Sequence, residues 1–178
     1  MSAANSSPGR LSLFGLPGEI RNEIYRHSLT PNTTCIVSRA AFKQPTLLQT
    51  CRQIRNEAAP IYYHENTFII KVYDLDSSAV VAFTRHAERW NPARDRIMLC
   101  FVTYSRSWEN LLRGAKAFHE GKMLAFRANF DDHFVRGVTR AFRIVNFLPG
   151  IPWESVVKVL QEHKAEMEDA DRGWWQWE

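Results

Sequence analysis

The chain has 178 residues, enough for one domain with its own hydrophobic core. Hydrophobic residues make up 45% of it, yet no apolar run approaches the roughly 20 residues of a membrane helix, so no membrane-spanning helix is expected. The net charge of +4 is mildly basic: it permits an acidic or nucleic-acid partner and demands neither.

Met1 to Arg10 is small and polar and lacks the apolar centre of a secretory signal. We expect a disordered lead over residues 1–12. Three cysteines, Cys35, Cys51 and Cys100, lie far apart in the chain. An odd count without a signal segment points to reduced thiols and a cytoplasmic or nuclear setting.

The first helix is expected from Pro17 to about Leu29, since proline suits a first helical position. Leu16, Ile20 and Ile24 recur every four residues as its apolar stripe, and its arginines mark an outer face. Thr30-Pro31-Asn32 stops it, and Thr34 to Val37 reads as a short strand. A second helix is expected from Pro45-Thr46, with Leu47, Cys51, Ile54, Ala58 and Ile61 on its apolar face and Leu48 alongside. Pro60 should kink or break it. Phe68 to Tyr73 alternates as a strand does.

Asp76 or Ser77 can cap a third helix carrying Val80, Phe83, Thr84 and Ala87 inward. Ile97 to Tyr104 is an unbroken apolar run of strand length and the best candidate for a central strand. Ser107 can cap a fourth helix that Gly121 ends. Lys122 to Phe130 fits strand or helix equally. Asp131 or Asp132 can cap a fifth helix with Phe134, Val138, Phe142 and Val145 inward, and its Arg136, Arg140 and Arg143 form a basic stripe. After the turn Leu148 to Pro152, a sixth helix carries Trp153, Val156, Val157 and Leu160. The fold class is therefore α+β: a mainly helical single domain whose small sheet packs against about six helices.

Catalytic signatures are missing. There is no Gly-rich phosphate loop, Cys-x-x-Cys, His-Glu-x-x-His or Gly-x-Ser-x-Gly. The six histidines stand beside polar residues and read as surface side chains. Asp131-Asp132-His133 are consecutive and would point apart on a helix, so an N-cap explains them better than a metal or acid–base site. Cys51 and His64 could pair as nucleophile and base, although Cys51 lies on an apolar stripe. We expect no catalytic residues, no metal and no cofactor. The Arg136 stripe could grip phosphates, but a solvated helix face explains it more simply. Trp174, Trp175 and Trp177 cost solubility if left exposed: they either fold back on the domain or anchor a partner.

The stretch Leu16-Pro17-Gly18-Glu19-Ile20-Arg21-Asn22-Glu23-Ile24-Tyr25, followed by Leu47-Leu48-Gln49-Thr50-Cys51-Arg52-Gln53-Ile54-Arg55-Asn56-Glu57-Ala58, resembles the F-box-like proteins of filamentous fungi. Tyr62 to Phe68 is similar to the segment that follows in those proteins. The resemblance covers residues 13–73, with 74–178 as a helix-rich remainder of the same domain. It implies a helical surface that binds a Skp-type adaptor and links a substrate to a cullin-type ubiquitin ligase. By position, Leu16, Pro17, Ile20 and Ile24 would form the adaptor-facing helix, and Leu47, Leu48, Cys51 and Arg52 the later element. Here 35 positions separate Leu16 from Cys51 (51 − 16), with a strand-like insertion around Cys35 to Val37. The resulting expectation is a non-enzymatic protein–protein interaction protein. A standalone binding module and a weak nucleic-acid binder are the alternatives.

Overall fold

The computed structural model describes residues 12–30, 34–38, 42–105, 107–124, 127–128 and 133–170. The expected lead up to residue 11, the Asp131/Asp132 cap and the tryptophans at 174, 175 and 177 lie outside them.

The sheet decides the architecture. Its strands are β1 (Thr34–Val37), β2 (Thr67–Tyr73), β3 (Ile97–Val102) and β4 (Arg127–Ala128). They lie in the order β1-β2-β3-β4, and each neighbouring pair is parallel. Each parallel step needs a crossover, which the helices supply. α2 (Thr46–Thr50) and α3 (Arg52–Glu65) join β1 to β2, α4 (Ser78–Ala87) joins β2 to β3, and α5 (Trp108–His119) joins β3 to β4. Crossovers of one hand between strands in sequential order carry their helices to one face. α1 (Gly18–Leu29) precedes the sheet, and α6 (His133–Asn146) and α7 (Trp153–Ala170) follow it. The chain is a mainly helical α+β domain with a small sheet, as its patterning led us to expect.

The two faces of the sheet differ. Phe68, Ile70 and Val72 of β2 and Ile97 and Leu99 of β3 are buried under the helices. Phe68 packs on Phe83 of α4 with ring centroids 4.8 Å apart and on Tyr62 of α3 at 5.4 Å. The alternate residues form the second face: Ile36, Ile69 and Met98 in one row, then Lys71 beside Cys100, then Tyr73 beside Val102. None of these side chains joins the hydrophobic core among the described residues, and Ile36 is 64% exposed.

The expected second helix is two helices. Cys51 has extended backbone (φ −149°, ψ 166°), and its Sγ accepts the Ile54 N–H at 3.5 Å, so it caps α3 and does not sit on an apolar stripe. This split adds a helix to the expected six. Pro60 breaks nothing, because α3 runs on to Glu65. The carbonyl that Pro60 leaves without a donor belongs to Asn56, an exposed residue, where water can serve it. The other caps follow expectation. At α4 the cap residue is Ser77, whose side chain makes no capping bond, and Asp76 Oδ1, one position earlier, accepts the Ser78 N–H at 3.0 Å; at α5 Ser107 Oγ accepts the Asn110 N–H at 3.3 Å. Gly121 ends α5 with φ +70°, a conformation that favours glycine.

α6 buries Phe134, Val138, Phe142 and Val145, and α7 buries Val156, Leu160 and Met167. α7 runs antiparallel to α5. At one end the rings of Trp153 and His119 lie 5.8 Å apart, and at the other Lys164 Nζ stands 5.7 Å from the Trp108 ring. The histidines are not all surface residues: His163 is 4% exposed. It continues the spacing Val156, Leu160, His163, Met167, which is a core stripe with one polar member. Its Nε2 pairs with the Gly137 carbonyl at 3.1 Å, while Nδ1 has no hydrogen bond among the described residues and lies 3.8 Å from Glu166.

Candidate docking surface

α1 lies against α3 through a face other than its Leu16, Ile20 and Ile24 stripe. The expected apolar stripe was Leu16, Ile20 and Ile24. The helix instead buries Tyr25 and Leu29, with Arg21 on the same side, and leaves Ile20 49% and Ile24 38% exposed. One residue of offset is about 100° of helix rotation. A specific set of polar contacts explains the choice. Arg21 donates through Nε and Nη2 to both carboxylate oxygens of Glu57, each at 2.9 Å, and the Tyr25 hydroxyl donates to Glu57 Oε2 at 2.9 Å. Gln53 Nε2 adds a bond to Oε1 at 3.0 Å. The two-pronged geometry suits a guanidinium and a carboxylate.

These donors hold the Glu57 carboxyl at about 2, through the Arg21 hydrogen bond first and that of Gln53 next. Burial raises the Tyr25 phenol, and its bond to Glu57 raises it further. Arg21 Nη1 also donates to the Leu16 carbonyl at 2.7 Å, which fixes the entry to the helix. At the far end buried Asn66 ties α1 to α3, since its Nδ2 donates to the carbonyls of Leu29 (3.0 Å) and Tyr62 (2.9 Å).

The arginines therefore do not define one outer face. Arg21 turns inward, and Arg55 reaches back to the Leu48 carbonyl at 2.7 Å. Arg52 is exposed at the start of α3. Pro17 precedes α1 as its cap residue, one position earlier than expected, and its carbonyl accepts the Arg21 N–H. Leu16 and Leu47 are half-buried, and Leu48 is fully buried. Of the Leu, Ile and Pro residues singled out for docking, Ile20, Ile24 and Pro17 are exposed. Phe14, 44% exposed in a short 3-10 turn before α1, was missed because no helical stripe includes it.

The other candidates fare differently. Cys51 and His64 sit at opposite ends of α3, roughly 20 Å apart along a helix, so they form no nucleophile–base pair. The thiol of Cys35 is pushed up by burial beside Tyr62. Arg136, Arg140 and Arg143 are exposed on α6, and Arg140 pairs with Glu166 of α7 at 3.2 Å, which offsets part of the stripe's charge. A cleft of about 360 Å³ opens between α4 and α5 beside Asp76, Arg85, Asn110 and Arg113. Its Asp76 is engaged in capping α4, and Arg113 bonds Asn110. Among the described residues no three His, Cys, Asp or Glu side chains gather as metal ligands, and no helix is long and apolar enough to cross a membrane.

These features define a class only: a small parallel sheet with helices on one face and a helix pair that turns isoleucines outward. Compared with protein-family models, curated proteins and solved structures, the chain finds no match in any of the three.

Proposed function

We propose that this chain is a non-enzymatic protein-interaction protein of the cytoplasm or nucleus, and that the outer face of α1 is its docking surface. The observation that carries this reading is the exposure of Ile20 and Ile24, one turn apart, on a helix held rigid from behind by Arg21, Tyr25 and Leu29. A fixed backbone spares the ordering cost of binding, and apolar side chains set in a polar surround are what a partner desolvates. The resemblance of Leu16 to Tyr25 to F-box-like helices names the partner class: a Skp-type adaptor, with a cullin-type ubiquitin ligase beyond it.

The test is direct binding of the full chain to a purified Skp-type adaptor by calorimetry. The Ile20→Gln/Ile24→Gln double variant should bind at least about tenfold more weakly, while its thermal midpoint stays near that of the wild type. Wild-type chain that shows no heat of binding at tens of micromolar, or a double variant that binds equally well, would sink the adaptor role.

Burial of Leu48 favours a second reading. In the resemblance the later leucines belong to the adaptor surface, whereas here one of them is core. A standalone binding module would use α1 alone on a different partner.

A further inference from the structure

Glycine is the poorest helix former after proline, yet Gly114 stands buried in the middle of α5. A Cβ at this position would lie 2.3 Å from Ser77 Oγ and 3.1 Å from Ser77 Cβ. The glycine therefore lets Ser77, just before α4, press against α5. The cleft of about 360 Å³ opens beside this contact. We propose that it is a binding site for a small hydroxylated phosphate monoester.

Charge comes first. Two guanidiniums line the cleft, Arg85 from α4 and Arg113 from α5, against one carboxylate, Asp76. The lining carries an excess of positive charge, which favours an anion. Arg85 makes no hydrogen bond or ion pair among the described residues, so its donors are left for a ligand or water. Arg113 is held in place: its Nη2 donates to Asn110 Oδ1. Asn110 is fixed in turn, since its Nδ2 donates to the Asp74 carbonyl at 2.8 Å. Asp74 Oδ1 accepts the N–H groups of Tyr104 and Ser105, each at 2.8 Å. This relay ties the loop before α4 to the loop before α5. The walls of the cleft and the position of Arg113 are thus set before a ligand arrives, which spares the cost of ordering them.

The donor set then selects the anion. A guanidinium from each wall and the Ser77 hydroxyl, which makes no capping bond, suit an acceptor whose oxygens point in three directions. The tetrahedral head of a phosphate monoester has such oxygens, whereas a carboxylate has two in one plane. The Ser78 N–H is already taken by Asp76 Oδ1 at 3.0 Å, so recognition rests on side chains and not on the head of α4. That bond leaves Asp76 Oδ2 to accept a hydroxyl from the body of the ester. Bare phosphate would meet only the repulsion of this carboxylate. Val81, Ala82 and Ala117 add the aliphatic surface that a short carbon skeleton needs. None of these residues belongs to α1 or α3, so this proposal and the docking surface can fail independently.

The test is a titration of the full chain with glycerol phosphate at constant ionic strength, followed through backbone amides by NMR. The amides of Ser77, Ser78 and Gly114 should shift saturably, with half-saturation at millimolar concentration or below. Arg85→Gln and Arg113→Gln, both at exposed side chains, should each weaken binding at least about tenfold. Their thermal midpoints report whether they fold, and should Arg113→Gln unfold, Arg85→Gln decides alone. Asp76→Asn keeps an oxygen for the Ser78 N–H and removes the charge, so it should erase the preference for glycerol phosphate over inorganic phosphate. Absence of a saturable shift at tens of millimolar overturns the proposal, as do shifts that sodium acetate reproduces equally or an Arg85→Gln chain that binds like the wild type. Equal wild-type affinities for glycerol phosphate and inorganic phosphate would mean a bare anion site and overturn the ester.

Discussion

Helices α1 and α6 carry the same kinds of residue and use them in opposite ways. α6 buries Phe134, Val138, Phe142 and Val145 and turns Arg136, Arg140 and Arg143 to the surface. α1 turns Arg21 inward to Glu57 and leaves Ile20 and Ile24 outside. The difference lies in what each helix meets. α6 meets apolar surfaces of α5 and α7, as in the edge-to-face contact of Phe142 with Phe118 at 5.7 Å, so burial of apolar area sets its orientation. α1 meets a face of α3 that presents a carboxylate, Glu57, beside Ala58 and Ile61. A burial that must include a carboxylate requires partners for it, and Arg21 and Tyr25 supply them for Glu57, as Arg26 does for Glu65 at the far end of α3.

Four substitutions test this contrast. The largest effect is expected at Phe142→Ala, which removes a buried ring packed on Phe118 and should cost about 3–5 kcal/mol of unfolding free energy by urea denaturation. A cost below 1 kcal/mol would mean that α6 is not held by its apolar face. Tyr25→Phe keeps the buried ring and loses one hydrogen bond to a charged acceptor. It should cost about 1–2 kcal/mol by the same measurement.

The pH dependence then isolates the carboxylate. Glu57 is held at about 2 against an ordinary value of 4.5, so the folded state favours its charged form. Its contribution is complete above pH 4.5 and fades as the pH falls toward 2. Urea midpoints of the wild type and Glu57→Gln should therefore differ most at neutral pH and converge in acid; parallel curves would contradict the assignment. The smallest effect is expected at Arg140→Ala. Its pair with Glu166 is solvent-exposed on both sides, so stability should change by less than about 0.5 kcal/mol. A large loss there would erase the distinction between an inward and an outward arginine.

Much of the chain was legible in one dimension. β1 appears at Thr34–Val37 as its β-branched run suggested, and the caps at Asp76 and Ser107 hold. The inward residues of α4 and α6 follow their periodicity. The failures share a cause. Cys51 looked like a stripe residue because its spacing was right, yet a cap is defined by backbone angle, which spacing does not report. His163 looked like a surface residue because its neighbours are polar, yet its position continues the stripe of Val156, Leu160 and Met167. Ile20 and Ile24 made an apolar stripe that suited a docking face or a core equally, and periodicity does not say which of the two it is; the structure leaves both exposed. Phe14 carried no signal, since a 3-10 turn has no periodicity long enough to read.

By itself, then, the sequence determined most of the helices and strands, though not the break at Cys51 or the state of Lys122 to Phe130, and which residue types were available for docking. Periodicity is a property of a single element, and local rules suffice to read it. The parallel order of the strands, the division of the sheet into two unlike faces and the outward turn of Ile20 and Ile24 were decided only by tertiary structure. Each depends on a pairing between distant residues: Arg21 with Glu57, Ile69 with Met98, α7 along α5. A helix with two usable faces takes its orientation from the partner surface, because the free energy that selects between them resides in the contact.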